Sequence, residues 1–311
     1  MGRNNNARCA NGKGTGGSPG DLRMRLGRQK GKAGDGDSHS DVHGEAGVWK
    51  KFLSRRTHVS EYGMVSAVSR LAVIIPARFA SVRLPAKALA DIHGAPMVVR
   101  VLERVRNASG VDAIAVATDD ARVKDAVERA GGRAVMTSAA CANGTTRVAE
   151  VARSVPADFY VNVQGDEPLL APGAIERVAA LLRAGAPMAT LARPASLEEL
   201  GRASVVKVVL GAGGRALYFS RATIPHSRDP HVVAPLAHVG IYGFASATLH
   251  AFAALPETDL ERAEGLEQLR AIFHGIPCIV GVGDYGSPAV DTQEDLDRVR
   301  ALVQPLSDSR T

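Results

Sequence analysis

Between residues 71 and 163, short continuous apolar runs alternate with stretches of helical spacing, and few architectures accept that alternation. Leu71-Ala-Val-Ile-Ile75 and Ala113-Ile-Ala-Val-Ala117 carry no polar residue on either face of the pleat. Strands of this kind are buried on both sides, as happens when helices cover both faces of a parallel sheet. Helical spacing over 97–105 follows the first strand, and Asp119 is placed to cap a helix running to Ala130 after the second. A short strand is expected at 133–136, then a helix over 145–153 leading into the strand Phe159-Tyr-Val-Asn-Val163. The order predicts an α/β fold: a Rossmann-like, doubly wound, mostly parallel sheet. Beyond about residue 200 the pattern becomes β-rich, at 205–210, 216–219 and 238–244, which suggests a smaller β-rich subdomain. Helices near 259–274 and 292–302 close the body.

Charge separates the first 70 residues from the rest. They hold 13 Lys/Arg against 6 Asp/Glu and 13 of the 32 glycines, whereas the remainder holds 25 basic against 26 acidic side chains. The basic balance therefore belongs to a leader and not to the body, which argues against a nucleic-acid-binding body. A glycine-rich, aperiodic stretch cannot bury enough apolar surface to offset its ordering entropy, so residues 1–70 are expected to be disordered. Met64, seven residues before the first strand, is an alternative translation start; a basic arm for an acidic surface is the other reading. The segment Gly12-Lys-Gly-Thr-Gly-Gly17 has no preceding strand and no Ser/Thr after its lysine, so it is not a phosphate loop. Cys9, Cys141 and Cys278 form no CxxC pair, which argues against structural zinc and fits a reducing cytoplasm. Neither an apolar run long enough to span a membrane nor the apolar core of a secretory signal is visible.

Three constellations carry chemistry. The first, Pro76-Ala-Arg-Phe-Ala-Ser-Val-Arg-Leu-Pro-Ala-Lys87, comes directly after the first strand, at the sheet edge where such folds bind ligands. Arg78, Arg83 and Lys87 place three cations within ten residues, separated by small residues such as Ser81, and suit a polyphosphate. The second, Val161-Asn-Val-Gln-Gly-Asp-Glu-Pro168, ends a buried strand in two carboxylates. Asp166 is the better Mg²⁺ ligand of the two, since Mg²⁺ prefers oxygen donors and is often shared with substrate phosphates; Glu167 is placed to cap the next turn. The third, Val290-Asp-Thr-Gln-Glu-Asp-Leu296, reads on its own as a helix cap at Asp291 with Glu294 three residues on. Together with the other two motifs, Asp291 becomes a second metal ligand.

The first loop resembles the signature of sugar nucleotidyltransferases. Asn162-Val-Gln-Gly-Asp-Glu-Pro168, Ala216-Leu-Tyr-Phe-Ser-Arg-Ala-Thr-Ile-Pro225, Gly240-Ile-Tyr-Gly-Phe244, Leu266-Glu-Gln-Leu-Arg270 and Val290-Asp-Thr292 resemble, in order, the CMP-Kdo synthetase (3-deoxy-manno-octulosonate cytidylyltransferase) family. The resemblance runs from about residue 71 to 303. It implies condensation of CTP with an acidic 3-deoxy-ulosonate, magnesium as cofactor, a cytoplasmic homodimer and no nucleic-acid or membrane partner. It also implies residue roles. Arg78, Ser81, Arg83, Lys87, Gly144, Thr145 and Arg147 would bind the nucleotide. Gln164, Arg221, His238, Tyr242, Glu267 and Gln268 would bind the sugar. Lys87, Asp166 and Asp291 would be catalytic, the two aspartates through the metal.

The sequence departs from the family in places. Ala140-Cys-Ala-Asn-Gly-Thr-Thr-Arg147 stands where the family reads Asp-His-x-Ser-Gly-Thr-Glu/Asp-Arg, beside the nucleotide base. Val82 and Ala86 replace a usual Thr and Gly, and the segment after Pro225 is short and lacks a usual Trp. Two readings stay open beside Kdo activation: a paralogue taking another 3-deoxy-ulosonate or its 8-amino form, and a non-catalytic nucleotide-binding protein.

Overall fold

The run Leu71–Pro76 forms strand β1 at the centre of the sheet, and its residues alternate between two cores. The structure is a computed structural model that describes residues 69–81, 83–141, 143–226, 228 and 234–303. The expectations for the leader and for Val82, and most of the short segment after Pro225, lie outside the described residues.

In chain order, β1 is followed by a small hairpin, β2 (Asp91–Ile92) and β3 (Ala95–Pro96), and by helix α1 (Met97–Arg106). Next come β4 (Ala113–Thr118), α2 (Ala121–Arg129), β5 (Ala134–Met136), α3 (Gly144–Ala152), β6 (Phe159–Asn162), α4 (Pro172–Arg183) and β7 (Met188–Pro194). The second half adds α5 (Leu197–Leu200), β8 (Lys207–Leu210), β9 (Ala216–Ser220), β10 (Leu236–Ala245), α6 (Ser246–Ala254), α7 (Asp259–Glu264), α8 (Gln268–Phe273), β11 (Cys278–Val282) and α9 (Gln293–Leu302).

The main path of the sheet runs β11-β7-β10-β6-β1-β4-β5. Pairing is parallel except where β10 lies antiparallel between β6 and β7. This is the mostly parallel, mixed sheet expected. The β-rich half is no separate layer, because β10, β7 and β11 complete the same sheet and the β8–β9 hairpin hangs from β10.

Leu71, Val73 and Ile75 pack on one face with Val98, Val101, Leu102 and Val105 of α1 and Ile175, Val178 and Leu182 of α4. Ala72 and Ile74 pack on the other with Val148 and Val151 of α3 and with Phe244, Leu249 and Phe252. Each buried Val, Leu or Ile contributes about 1.5–3 kcal/mol, and no face of β1 is left for solvent. A third, smaller cluster joins Leu84, Ile92 and Met97 to Val290, Leu296 and Val299. That cluster draws the last helix back onto the first loop.

Two caps fall one residue later than expected. Asp120, not Asp119, caps α2, its carboxylate accepting from the Arg122 amide. Thr292 with Asp295, not Asp291 with Glu294, forms the capping box of α9. The helical stretch 259–274 is two helices, broken at Gly265, whose φ of 62° is in the left-handed region that glycine tolerates.

Candidate active site

Two strands, β1 and β6, deliver most of the first cleft. Past β1 the chain turns through the cationic loop; Phe79 lies 3.5 Å beneath the Arg122 guanidinium, which ties the loop to α2. Beside it, Val163 donates to the Ile74 carbonyl, and β6 runs into the turn Gln164–Glu167. Gly165 is required there, since a Cβ would stand 2.7 Å from the Pro76 carbonyl oxygen. Asp166 is anchored through its own carbonyl, which accepts from the Val290 amide at 2.9 Å, and that bond sets Asp291 next to it.

Lys87 fills the centre. Its ammonium donates to Asp166 Oδ2 at 2.6 Å and to Asp291 Oδ1 at 3.0 Å, and Arg83 pairs with the other oxygen of Asp291 at 3.1 Å. Burial works against the ammonium, but the two carboxylates outweigh it and raise its pKa. Two oxygens sharing one small cation at these distances can also share a divalent one. Among the described residues no group of three or more His, Cys, Asp or Glu converges, so a metal here would take its remaining ligands from substrate and water. That is how Mg²⁺ is held in phosphoryl-transfer sites.

Arg78, Ser81, Arg83, Lys87, Gly144, Gln164, Asp166 and Asp291 all line this cleft of about 510 Å³. A second cleft of about 340 Å³ is lined by Gln164, Tyr242, Glu267, Gln268 and Gly240, and shares Asn143, Gly144 and Gln164 with the first. A β-bulge between Val239 and Tyr242 turns Gly240 toward Glu167, a common device beside active sites. Tyr242 donates to Gln268 Oε1 at 3.1 Å. Glu267 accepts the Thr145 hydroxyl at 2.5 Å. Among the described residues, Glu267 Oε2 and Gln268 Nε2 are buried without a partner, an acceptor and a donor left for a ligand.

Not every expected residue faces a cleft. Arg147 is fully buried, donating to Thr137 and, at 2.9 Å, to Asp119, so its side chain supports the nucleotide edge and does not touch it. Thr145 is also fully buried. His238 hydrogen-bonds Thr190 at 2.9 Å and packs edge-to-face against Phe219 and at a tilt against Tyr242; burial pushes its pKa down to about 3, so the ring is neutral. Arg221 is held by three carbonyls, of Glu264 (2.7 Å), Ala203 (3.1 Å) and Gly265 (3.4 Å), the last a residue lining the second cleft. It still has N–H donors free by count. Glu167 closes the next turn with its backbone carbonyl, not its side chain, while burial and then Asp166 push its carboxyl up to about 8.

Sequence reasoning passed over Asn162, Lys207 and Glu264. Lys207 is fully buried and donates to the carbonyls of Arg202, Val205 and Arg221. Glu264 accepts from the Ser220 hydroxyl and the Arg221 amide. Only Asn162 carried a signal, as a polar residue inside an apolar strand.

The departures near the nucleotide edge have a structural account. Asn143 accepts from the Thr146 amide at 2.9 Å and the Thr146 hydroxyl receives the Asn143 amide, an intact capping box for α3. The Asn/Thr pair thus replaces the family's Ser and Glu/Asp without loss of the motif. Cys141 donates to Glu150, and burial with that carboxylate pushes the thiol up to about 11, leaving it unreactive.

A mixed α/β sheet whose carboxyl edge carries a three-cation loop, two of its cations paired with two carboxylates, beside a second polar cleft, defines a nucleotidyltransferase. A cytidylyltransferase family model matches residues 72–277. The 3-deoxy-manno-octulosonate cytidylyltransferase of Anaeromyxobacter sp. strain Fw109-5 is 54% identical over 75% of this chain and 97% of its own length. That of Myxococcus xanthus strain DK1622 is 48% identical over 76% and 97%. A solved CMP:2-keto-3-deoxy-manno-octonic acid synthetase in complex with CTP is 43% identical, covers 75% of this chain and 98% of its own, and superposes with a TM-score of 0.73. The chain belongs to the CMP-Kdo synthetase (3-deoxy-manno-octulosonate cytidylyltransferase) family.

Proposed function

We propose that this chain condenses CTP with Kdo to give CMP-Kdo and pyrophosphate. The observation that carries the reading is the junction of the clefts. Gln164, Gly144 and Asn143 line both, so a triphosphate on the cationic loop and a sugar against Glu267 and Gln268 would meet at that wall.

Arg78, Arg83 and Lys87 bind and orient the triphosphate. The anomeric hydroxyl of the sugar attacks the α-phosphorus in line, the α–β bond breaks, and pyrophosphate leaves against the same cations. Positioning and charge neutralisation supply most of the rate, with no covalent enzyme intermediate. Asp166 and Asp291 would hold Mg²⁺, which would supply neutralisation of phosphate charge and favour ionisation of the attacking hydroxyl. Lys87, whose ammonium lies between these carboxylates at the mouth of the loop, is within reach of the same phosphates. Arg221 pairs with the sugar carboxylate at the rim, while Tyr242 orients Gln268 and His238 holds the neighbouring wall as a neutral ring.

The catalytic body is residues 71–311, with the leader dispensable, and it acts in the cytoplasm as a homodimer. No helix among the described residues is long and apolar enough to cross a membrane. Leu217 on β9 and Phe273 on α8, two elements in contact, are both large, apolar and exposed, which supports pairing through the β-rich end. The intact α3 cap keeps the backbone at Gly144, which lines the first cleft, in place for the nucleotide. The test is pyrophosphate release from CTP and Kdo, with and without Mg²⁺, against a panel of other nucleotides and ulosonates. Metal-independent release, or none with Kdo, refutes the reading.

A further inference from the structure

Four polar side chains form one chain of hydrogen bonds across the wall between the clefts. The Gln164 amide donates to Asn162 Oδ1 at 3.3 Å, the Asn162 amide to the Thr145 hydroxyl oxygen at 3.4 Å, and the Thr145 hydroxyl to Glu267 Oε1 at 2.5 Å. Every donor points the same way, so each bond polarises the next, and the chain ends on a carboxylate. Its middle members, Asn162 and Thr145, are both fully buried and line neither cleft; its outer members line the second cleft, and Gln164 lines both.

We infer that Thr145 and Asn162 are positioning residues for the sugar, which align Glu267 and Gln164 through this chain, and that neither reads the nucleotide. The inference rests on the second cleft being the sugar site. Its geometry is specific. The Glu267 carboxylate has one oxygen tied to Thr145 and the other, Oε2, buried and unpartnered. Fixing the first oxygen fixes the direction in which the second accepts a sugar hydroxyl. Asn162 adds rigidity, because it sits on β6 opposite Tyr242 of β10, and Tyr242 in turn holds Gln268. A strand pair therefore carries one fixed amide to each side of the pocket. Gly144, between Asn143 and Thr145, presents backbone to the first cleft while the Thr145 side chain points away from it. One turn of α3 thus serves both substrates with different atoms.

The experiment compares Thr145→Val, Thr145→Ser, Glu267→Gln and the Thr145→Val/Glu267→Gln double variant in the full chain, measuring KM for CTP and for Kdo separately. Thr145→Val keeps the shape and loses the donor. The expected result is a rise of about tenfold in the KM for Kdo, the size of one hydrogen bond to a charged group, with the KM for CTP unchanged. Thr145→Ser, which keeps the hydroxyl, restores the wild-type value. In the Glu267→Gln background the valine adds little, because both act on one group. Should the valine variant fail to fold, Thr145→Ala is read in the same way. A rise in the KM for CTP instead, or effects at 145 and 267 that multiply, overturns the inference. A wild-type chain that turns over CTP but shows no saturation with Kdo refutes the assignment of the second cleft, and the inference with it.

Discussion

Asp166→Asn separates the chemistry of the first cleft from its folding. The amide keeps the size of the side chain and the backbone bond from Val290, but removes the charge that faces Lys87 at 2.6 Å. Stability should change little. Lys87 keeps Asp291 at 3.0 Å, the amide oxygen still accepts, and the pair is only partly sheltered, with 17% and 27% of the two side chains exposed. A hydrogen bond to a charged group is worth about 1.5–3 kcal/mol, and most of that is retained, so a loss of roughly 1 kcal/mol or less is expected. In a body of this size that is a fall of about 2–4 °C in Tm. Turnover should behave differently. With one anionic ligand gone, a metal retains only Asp291 from the protein, and charge developing on the phosphates loses its main counterion. Removal of a preorganised electrostatic group of this kind costs about 10²–10³ in kcat. Pyrophosphate release at saturating CTP and Kdo, titrated with Mg²⁺, reads the effect, and a thermal melt of the same sample reads the fold. A variant that melts normally and keeps near-wild-type turnover with an unchanged Mg²⁺ requirement would falsify the role given to Asp166.

Three further outcomes are expected. Lys87→Ala should raise the KM for CTP and lower kcat by at least about tenfold, whereas Arg221→Ala should raise the KM for Kdo and leave CTP nearly unaffected; identical substrate profiles would mean that the two clefts are wrongly divided. Asn143→Ala should cost about 1 kcal/mol through the lost cap of α3, seen as a lower urea midpoint, while Asn143→Ser should not; equal loss in both would show that capping is not what the residue supplies. His238 has a native pKa depressed by burial to about 3, against 6.5 for the free side chain. Its contribution to stability is therefore complete above pH 6.5 and lost as the pH falls toward 3, when the unfolded chain takes up a proton that the native ring refuses. His238→Gln should lose that part of the acid slope in urea titrations between pH 7 and 4, and an unchanged slope would place the titration elsewhere.

Much of the fold was legible because the strongest strands are also the simplest. β1 and β4 read as apolar on both faces, and the two cores on either side of β1 explain why. The cationic loop and the Asp166 turn were legible for a topological reason: in a parallel sheet, the loop leaving the end of a buried strand lies at the ligand edge. Residues set by tertiary contact were not. Lys207 looks like one more surface lysine until three carbonyls, one of them fourteen residues away, close around it. Arg147 reads as a phosphate or base contact from its motif. On α3, however, its side chain points inward to Thr137 and Asp119, and helical periodicity alone cannot say which side of a short helix faces the ligand.

The two displaced caps share one cause, and it bears on function. At both sites two adjacent residues could cap, Asp119 or Asp120 and Asp291 or Thr292, and composition does not choose between them. The fold takes the second each time. The residue before the cap lies outside the helix, so its side chain is not committed to the helix's first amides. Asp119 is thereby free to pair with Arg147, and Asp291 with Lys87 and Arg83. Had Asp291 capped α9, its carboxylate would be committed to backbone amides and the first cleft would hold one carboxylate instead of two. The capping work falls to Thr292 and Asp295, whose side chains accept from each other's amides. Thr292→Ala therefore tests the partition directly. Without its own cap, α9 should recruit Asp291, so Mg²⁺-dependent turnover should fall by more than the roughly 1 kcal/mol lost from the melt. A loss of stability with turnover intact would show that Asp291 is held in place by the Val290–Asp166 bond alone.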